Sequence, residues 1–414
     1  MKGENNMNNL NIKEFLRKLS EDERKKIFPM FSDTEFEQLM QMSEQQILSV
    51  VEKSPFVGTQ PHAEKSKKWF EKPLTGLSKE GTKHLEELME QLKSPTSHHV
   101  DRKQVRYLQQ LKKMRLSIPK EFRKEIKPKE LHRHLVEFCR INDIPEEIVQ
   151  RVVPALITYI ETGHMQRSII FVGEKGCGKT TAVKLLVEEA LKIPTEVIKI
   201  PQTDGGHGMT GDCATYMAAD AGCIAKARIK HNSLNVAYVL DEIDKVTHGH
   251  NNRANVDDEL LSITDESCSD VYDNYLETSL VGLEHCPIFM TANDLEKINP
   301  ILADRCTIIR FPNADATRIK SISRKYVGKK LNSSLYGLIQ FDFDLMDKHI
   351  DNLVNRNVAS LRKHQQMIEA VIDNAMNIAF SQESDEVVSV TEDMFNNAEK
   401  FILGAVKREL GFSA

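Results

Sequence analysis

Ser168, Ile169, Ile170, Phe171 and Val172 run directly into Gly173-Glu174-Lys175-Gly176-Cys177-Gly178-Lys179-Thr180-Thr181, and Ala182-Val183-Lys184-Leu185-Leu186 follows without a gap. Few folds accept that order. It predicts a buried strand, a tight glycine turn and a helix that starts from the turn itself. Gly173, Gly176 and Gly178 let the backbone turn sharply and aim its amides inward. Lys179 can then reach terminal phosphates, and the Thr180 hydroxyl can ligate a divalent cation. The helix start adds the positive end of its dipole. Residues 173–181 are therefore expected to bind ATP with Mg2+.

At 414 residues the chain can hold two or three domains. Apolar residues make up 40% and charged residues 28%. No apolar run approaches the roughly 18 residues that cross a bilayer. The polar start, Met1-Lys2-Gly3-Glu4-Asn5-Asn6, has no signal-peptide segment, so a soluble chain without a membrane partner is expected. Seven scattered cysteines without a C-x-x-C pair read as reduced thiols of a cytoplasmic protein. Cys177 is expected to be a small neutral side chain, although a helix start can favour a thiolate. His132, His134, His248 and His250 lack the spaced partners of a metal site and read as surface residues.

The net charge of -5 is unevenly spread. Between Asp101 and Arg133 there are twelve Lys or Arg against four acids, whereas residues 254–285 carry nine acids and no Lys or Arg. Opposite patches of this kind invite self-association or a charged partner.

Residues 1–53 read as an N-terminal helical region, with Ser32 and Ser43 as candidate caps. Pro55, Gly58, Pro61, Pro73, Gly76 and Gly81 make residues 54–82 a linker or irregular segment. Helical patterns resume over 83–163, which carries the basic stretch and is expected to be separate from the next domain. Residues 164–312 alternate strands and helices, with strands expected at 168–172, 196–200, 236–240, 287–291 and 306–311. That predicts an α/β doubly wound parallel sheet. Residues 313–414 are helical again, with starts expected at Asn313, Asn357 and Thr391.

The strand Val236-Ala237-Tyr238-Val239-Leu240 ends in Asp241-Glu242, two acids at a strand tip, where open sheets bind ligands. Asp241 is expected to hold magnesium through water and Glu242 to polarise the attacking water. A second strand leads to Asn293, which can hold that water from the far side. Arg305 precedes a third strand.

Glycine loop, Asp-Glu strand, strand ending in Asn, then Asp304-Arg305 before a strand: this order resembles the AAA+ ATPases. The resemblance implies that Asn293 is sensor 1, that Arg305 is an arginine finger for a neighbouring subunit's site, and that the chain forms a homo-oligomeric ring, with a hexamer expected. Over about residues 165–380 the chain resembles the ATPase module of Lon proteases, through residues 239–245, 273–277, 291–293 and 302–305. Tyr216 and Met217 fall where Lon-type rings carry a pore aromatic that grips polypeptide, although Tyr216 can equally be a core residue. Two departures stand out. The sequence ends at Ala414, so a motor without a Lon peptidase domain of its own is expected. Ala359 stands where the lid arginine, sensor 2, is expected in the Lon-like register, so Arg362 is the nominee, with an exposed helix charge as the alternative.

The resemblance implies a motor that remodels or translocates a protein substrate, with the front region recruiting substrate, adaptor or a separately encoded effector. The basic stretch, with Tyr107 and Phe122 as stacking candidates, leaves open a nucleic-acid motor or loader. Glu242, Asn293 and Arg305 together point to turnover rather than to a nucleotide-dependent scaffold.

Overall fold

A computed structural model describes residues 69–71, 74–93, 100–118, 127–200, 208–215, 218–245, 256–265, 267–332, 337–381 and 386–409. These belong to the second of two compact units, Lys68–Ala414. The expected helices before residue 54 and their caps Ser32 and Ser43 lie outside the described residues.

Among the described residues four α-helices precede the sheet: α1 (Lys79–Gln91), α2 (Arg102–Lys113), α3 (Pro128–Ile141) and α4 (Glu146–Thr162). Each of the first two starts where a side-chain oxygen satisfies an orphan amide. Ser78 accepts from Gly81 N and Asp101 from Lys103 N. α4 stops at Gly163, in the left-handed region at φ 82, where a side chain would collide with the Trp69 ring.

The sheet contains β1 (Ile169–Val172), β2 (Thr195–Lys199), β3 (Ala237–Asp241), β6 (Ile288–Ala292) and β7 (Thr307–Arg310). Its order is β2-β3-β6-β1-β7 and all its pairings are parallel. β1 and β6 are buried along their whole length, as a parallel strand covered on both faces must be. α5 (Lys179–Lys184), extended by a π-helical turn over Leu185–Ala190, leads from β1 to β2. α6 (Cys223–His231) precedes β3, and α7 (Val256–Ile263) follows it. An antiparallel hairpin, β4 (Asp270–Asp273) with β5 (Thr278–Val281), comes next, and α8 (Pro300–Arg305) leads into β7. The five expected sheet strands all form, within about one residue at most ends.

The expected separation of the front helices from the sheet domain does not hold for the described residues of 83–163. Val105, Leu108, Leu135, Ile148, Val152 and Leu156 share one buried cluster with Ile170, Phe171 and Phe289. The reason is physical: the apolar faces of these helices find their cover on the sheet domain. Buried polar groups tie the same contact, with Tyr159 Oη donating to His285 O (3.0 Å) and Gln104 Nε2 to Tyr275 O (2.8 Å). Part of the expected linker is packed as well. Trp69 is buried, donates Nε1 to Ile160 O (3.0 Å) and stacks on His285.

A second core lies beyond Phe311. α9 (Ala316–Leu331), β8 (Ile339–Gln340), α10 (Phe343–Asn355), α11 (Leu361–Ser381), β9 (Val388–Ser389) and α12 (Glu392–Glu409) enclose Ile319, Met346, Ile350, Ile368, Val371 and Phe395. Two expected starts are displaced. α9 begins after Asp315, whose carboxylate accepts from Arg318 N, and α11 begins at Leu361 because Asn357 is itself left-handed (φ 61). Thr391 stands immediately before α12, as expected.

Candidate active site

Register brings the chemistry together. Val172 pairs with Ala292, so Gly173 begins its loop beside the end of β6 and donates its amide to Ala292 O (3.2 Å). Leu240 pairs with Met290, which places Asp241 beside Thr291. Asp241, Thr291 and Asn293 therefore gather at the C-terminal edge, next to the glycine loop.

Lys179 is buried at 7% exposure and donates Nζ to Gly173 O (2.7 Å), Glu174 O (2.9 Å) and Asn293 Oδ1 (3.2 Å). Burial holds its ammonium below the usual lysine range, with Cys177, Asp241, Asp244 and Glu242 pulling the other way. Thr180 Oγ1 donates to Asp241 Oδ1 (3.0 Å), so a hydroxyl and a carboxylate meet at one point. Thr291 Oγ1 also donates to Asp241 Oδ1, and accepts the Glu242 amide (3.2 Å). Glu242 sits at φ 62, strain of order 1–3 kcal/mol for a non-glycine residue, and its carboxylate pairs with Lys245 (2.7 Å). Asn293 Nδ2 donates to Asp244 Oδ2 (3.3 Å), while Asp244 Oδ1 is buried without a partner.

The helices of the second core, α9 to α12, make up the lid and reach the same loop. Leu361 N donates to Gly176 O (3.0 Å), and a side chain on Gly176 would collide with Ser360. Arg362 is exposed, with its Cβ 3.5 Å from where a Cβ on Gly176 would stand.

Residues 169–313 match the model of the ATPase family associated with various cellular activities (AAA). This segment is an AAA ATPase domain. It is an ATP-hydrolysing, P-loop fold. The chain is 30% identical to the Lon protease of Malacoplasma penetrans over 188 residues, 45% of this chain and 24% of that protein. To the Lon protease of Methanosphaera stadtmanae it is 31% identical over 191 residues, 45% of this chain and 22% of that one. To the peroxisomal Lon protease homolog 2 of Caenorhabditis briggsae it is 27% identical over 257 residues, 60% and 32%. The matched part thus spans about a quarter to a third of these relatives.

Within the AAA domain, Lys179 is hydrogen-bonded to Asn293 and Thr180 to Asp241, and Glu242 adjoins the second pair through Thr291. Glu174, Lys175 and Thr181 are exposed, whereas Cys177 is buried and its thiol pushed up by that burial, which suits a neutral side chain. Arg305 is elsewhere. Thr307 pairs with Ile169, so Arg305 stands at the opposite end of β1 from the loop, roughly 13 Å of strand away. Its guanidinium donates to Leu261 O (2.7 Å) and pairs with Asp265 (3.3 Å). Beside it opens a cavity of about 540 Å³, lined by Arg167, Asp265, Cys268 and Glu284 and remote from the phosphate loop.

Tyr216, Met217 and Phe122 lie outside the described residues. Tyr107, the other stacking candidate, packs edge-on against Tyr275 (6.4 Å), and Lys103 and Lys112 of the basic stretch pair with Asp220 (2.9 Å) and Glu86 (3.1 Å). All seven cysteines are free. His132 and His134 are exposed, and no helix among the described residues is long and apolar enough to cross a membrane. Thr291, Asp244 and Arg318 carried no assigned role in the sequence. The first two stand beside flagged residues, at a strand end and three positions after Asp241. Arg318 comes to the site only through the packing of the lid.

Proposed function

We propose that the AAA domain is the motor of a ring in which ATP is hydrolysed at subunit interfaces to pull on or rearrange a polypeptide. The observation that carries this reading is the split between the two ends of the sheet: Lys179, Thr180, Asp241 and Asn293 meet at one, and Arg305 is held at the other. Arg305 cannot serve its own subunit's loop from there, but it can serve a neighbour's. Residues 173–181 bind the triphosphate through loop amides and Lys179. Thr180 and Asp241 form an oxygen donor pair that suits Mg2+. No group of three or more His, Cys, Asp or Glu among the described residues could hold a metal ion, so that pair would share it with phosphate and water. Glu242 polarises the attacking water and Asn293 orients it. Arg362 is the lid nominee at the loop, and Tyr216 with Met217 the nominees for gripping polypeptide. The Lon-like core supports a protein substrate, and a cytoplasmic hexamer fits the same reading.

ATPase rate measured against protein concentration, alone and with an unfolded model protein or DNA, tests this reading. Stimulation by polypeptide that disappears in Tyr216→Ala is expected. Stimulation by DNA alone, fading with salt, would overturn it.

A further inference from the structure

Arg318 lies in the first turn of α9, and its guanidinium is held from two sides. The plane sits over the Phe311 ring at 5.4 Å, and Nε donates to Asp143 O (2.8 Å) in the turn between α3 and α4. Nη2 lies 3.7 Å from the place a Cβ on Gly178 would occupy, so the group abuts the phosphate loop. Its Nη1 is buried and has no hydrogen-bond partner.

A buried, unpaired guanidinium N–H costs far more than an exposed one, and native structures seldom leave it so without a use. The nearby carboxylate that could neutralise it is already committed. Asp143 accepts from Ser321 Oγ (2.9 Å) and Lys325, leaving Arg318 only the backbone oxygen. Asp315 and Glu147 act on it only from a distance, and it forms no ion pair among the described residues. Burial lowers its pKa, as expected of a cation short of an acceptor.

We infer that Arg318 is a nucleotide-contacting residue, donating Nη1 to a phosphate oxygen of the nucleotide bound at residues 173–181. This rests on the ATPase assignment of that loop. It also gives the lid a half-buried cation at the loop, whereas Arg362 is exposed. Arg318 would thereby join three parts of the molecule at one anion: the α3–α4 turn, the loop and the lid.

Titration of a fluorescent ATP analogue, with ADP and adenosine as competitors, tests the inference on the full chain. Arg318→Ala is expected to weaken ATP and ADP by about 10- to 100-fold, the range of a charged hydrogen bond, while leaving adenosine unchanged. Arg318→Lys should recover part of the loss. Asp143→Ala breaks the bonds to Ser321 and Lys325 but keeps the backbone oxygen, so it should lower Tm without that loss of affinity. Should Arg318→Ala fail to fold, Arg318→Gln, which keeps a donor for Asp143 O, takes its place. Equal losses in Arg318→Ala and Asp143→Ala would make Arg318 a structural prop and overturn the inference. So would unchanged ATP affinity in a folded Arg318 variant, or an equal loss of adenosine. A wild-type chain that binds no nucleotide would instead sink the ATPase assignment itself, and Lys179→Ala, losing ATP while Arg318 is intact, separates the two.

Discussion

Thr291 shows how much one hydroxyl can organise, since it donates to Asp241 and accepts from Glu242, one residue on. Thr291→Val keeps the shape and removes both bonds. Turnover is expected to fall by about 10- to 100-fold, with ATP affinity changed far less, because hydrogen bonds to charged groups contribute about 1.5–3 kcal/mol. Steady-state kinetics beside equilibrium ATP binding would check this, and wild-type turnover would remove Thr291 from the site. Glu242→Gln should retain ATP but lose on the order of 10² to 10⁴ in turnover if its carboxylate polarises the water. Lys179→Ala should weaken ATP binding itself, because its ammonium is held inside the loop by the Gly173 and Glu174 carbonyls. At this scale the sequence was informative wherever a residue followed a strand. Lys179, Asp241 and Asn293 are hydrogen-bonded neighbours of the loop and strand tips, as their order predicts. Arg318 was invisible because nothing local marks it, and Arg362 was nominated only as the arginine one helical turn beyond Ala359, in a helix that starts at Leu361 rather than at the expected Asn357.

Strands were the most legible elements, since a parallel strand buried on both faces leaves an unbroken apolar run such as Ile169 to Val172. Helix faces do not say what they cover, which is why residues 83–163 read as a separate region. Trp69 tests their attachment. As the chain's one tryptophan, buried against Ile160 and His285, it reports by its fluorescence the release of this segment. Trp69→Ala is expected to cost about 3–5 kcal/mol in urea unfolding, the range for truncating a buried aromatic. A cost below about 1 kcal/mol would mean the contact is dispensable. The hairpin offers a test by pH. Burial pushes the Asp273 carboxyl up to about 6, although the amides of Leu276, Gly222 and Tyr275 oppose the shift. The native chain then holds this proton more tightly than the unfolded one, so its contribution is full below 3.8 and is lost as pH rises through about 6. Urea midpoints from about pH 4 to about pH 7 should fall less steeply in Asp273→Asn than in wild type. Identical slopes would show that Asp273 titrates elsewhere.

The whole molecule makes its prediction through the distance between Arg305 and its own loop. If each site takes Glu242 from one subunit and Arg305 from the next, Arg305→Ala should lose about 10³ in turnover. Mixing Arg305→Ala with Glu242→Gln should then restore activity at about a quarter of the interfaces of a randomly assembled ring, because a heterologous contact places an intact copy of each beside the other. A mixture no better than its parts would end the assignment. The two separate cores carry a further consequence. The sheet with its front helices and the lid each bury their own apolar side chains, yet Gly176 and Leu361 meet across the junction. Scanning calorimetry should therefore resolve two endotherms, the lid and the sheet absorbing heat separately. A nucleotide gripped by both at about 100 times its Kd adds about 2.7 kcal/mol to their joint state, enough to draw the peaks together. Heat would then measure directly how tightly ATP sews one half of the molecule to the other.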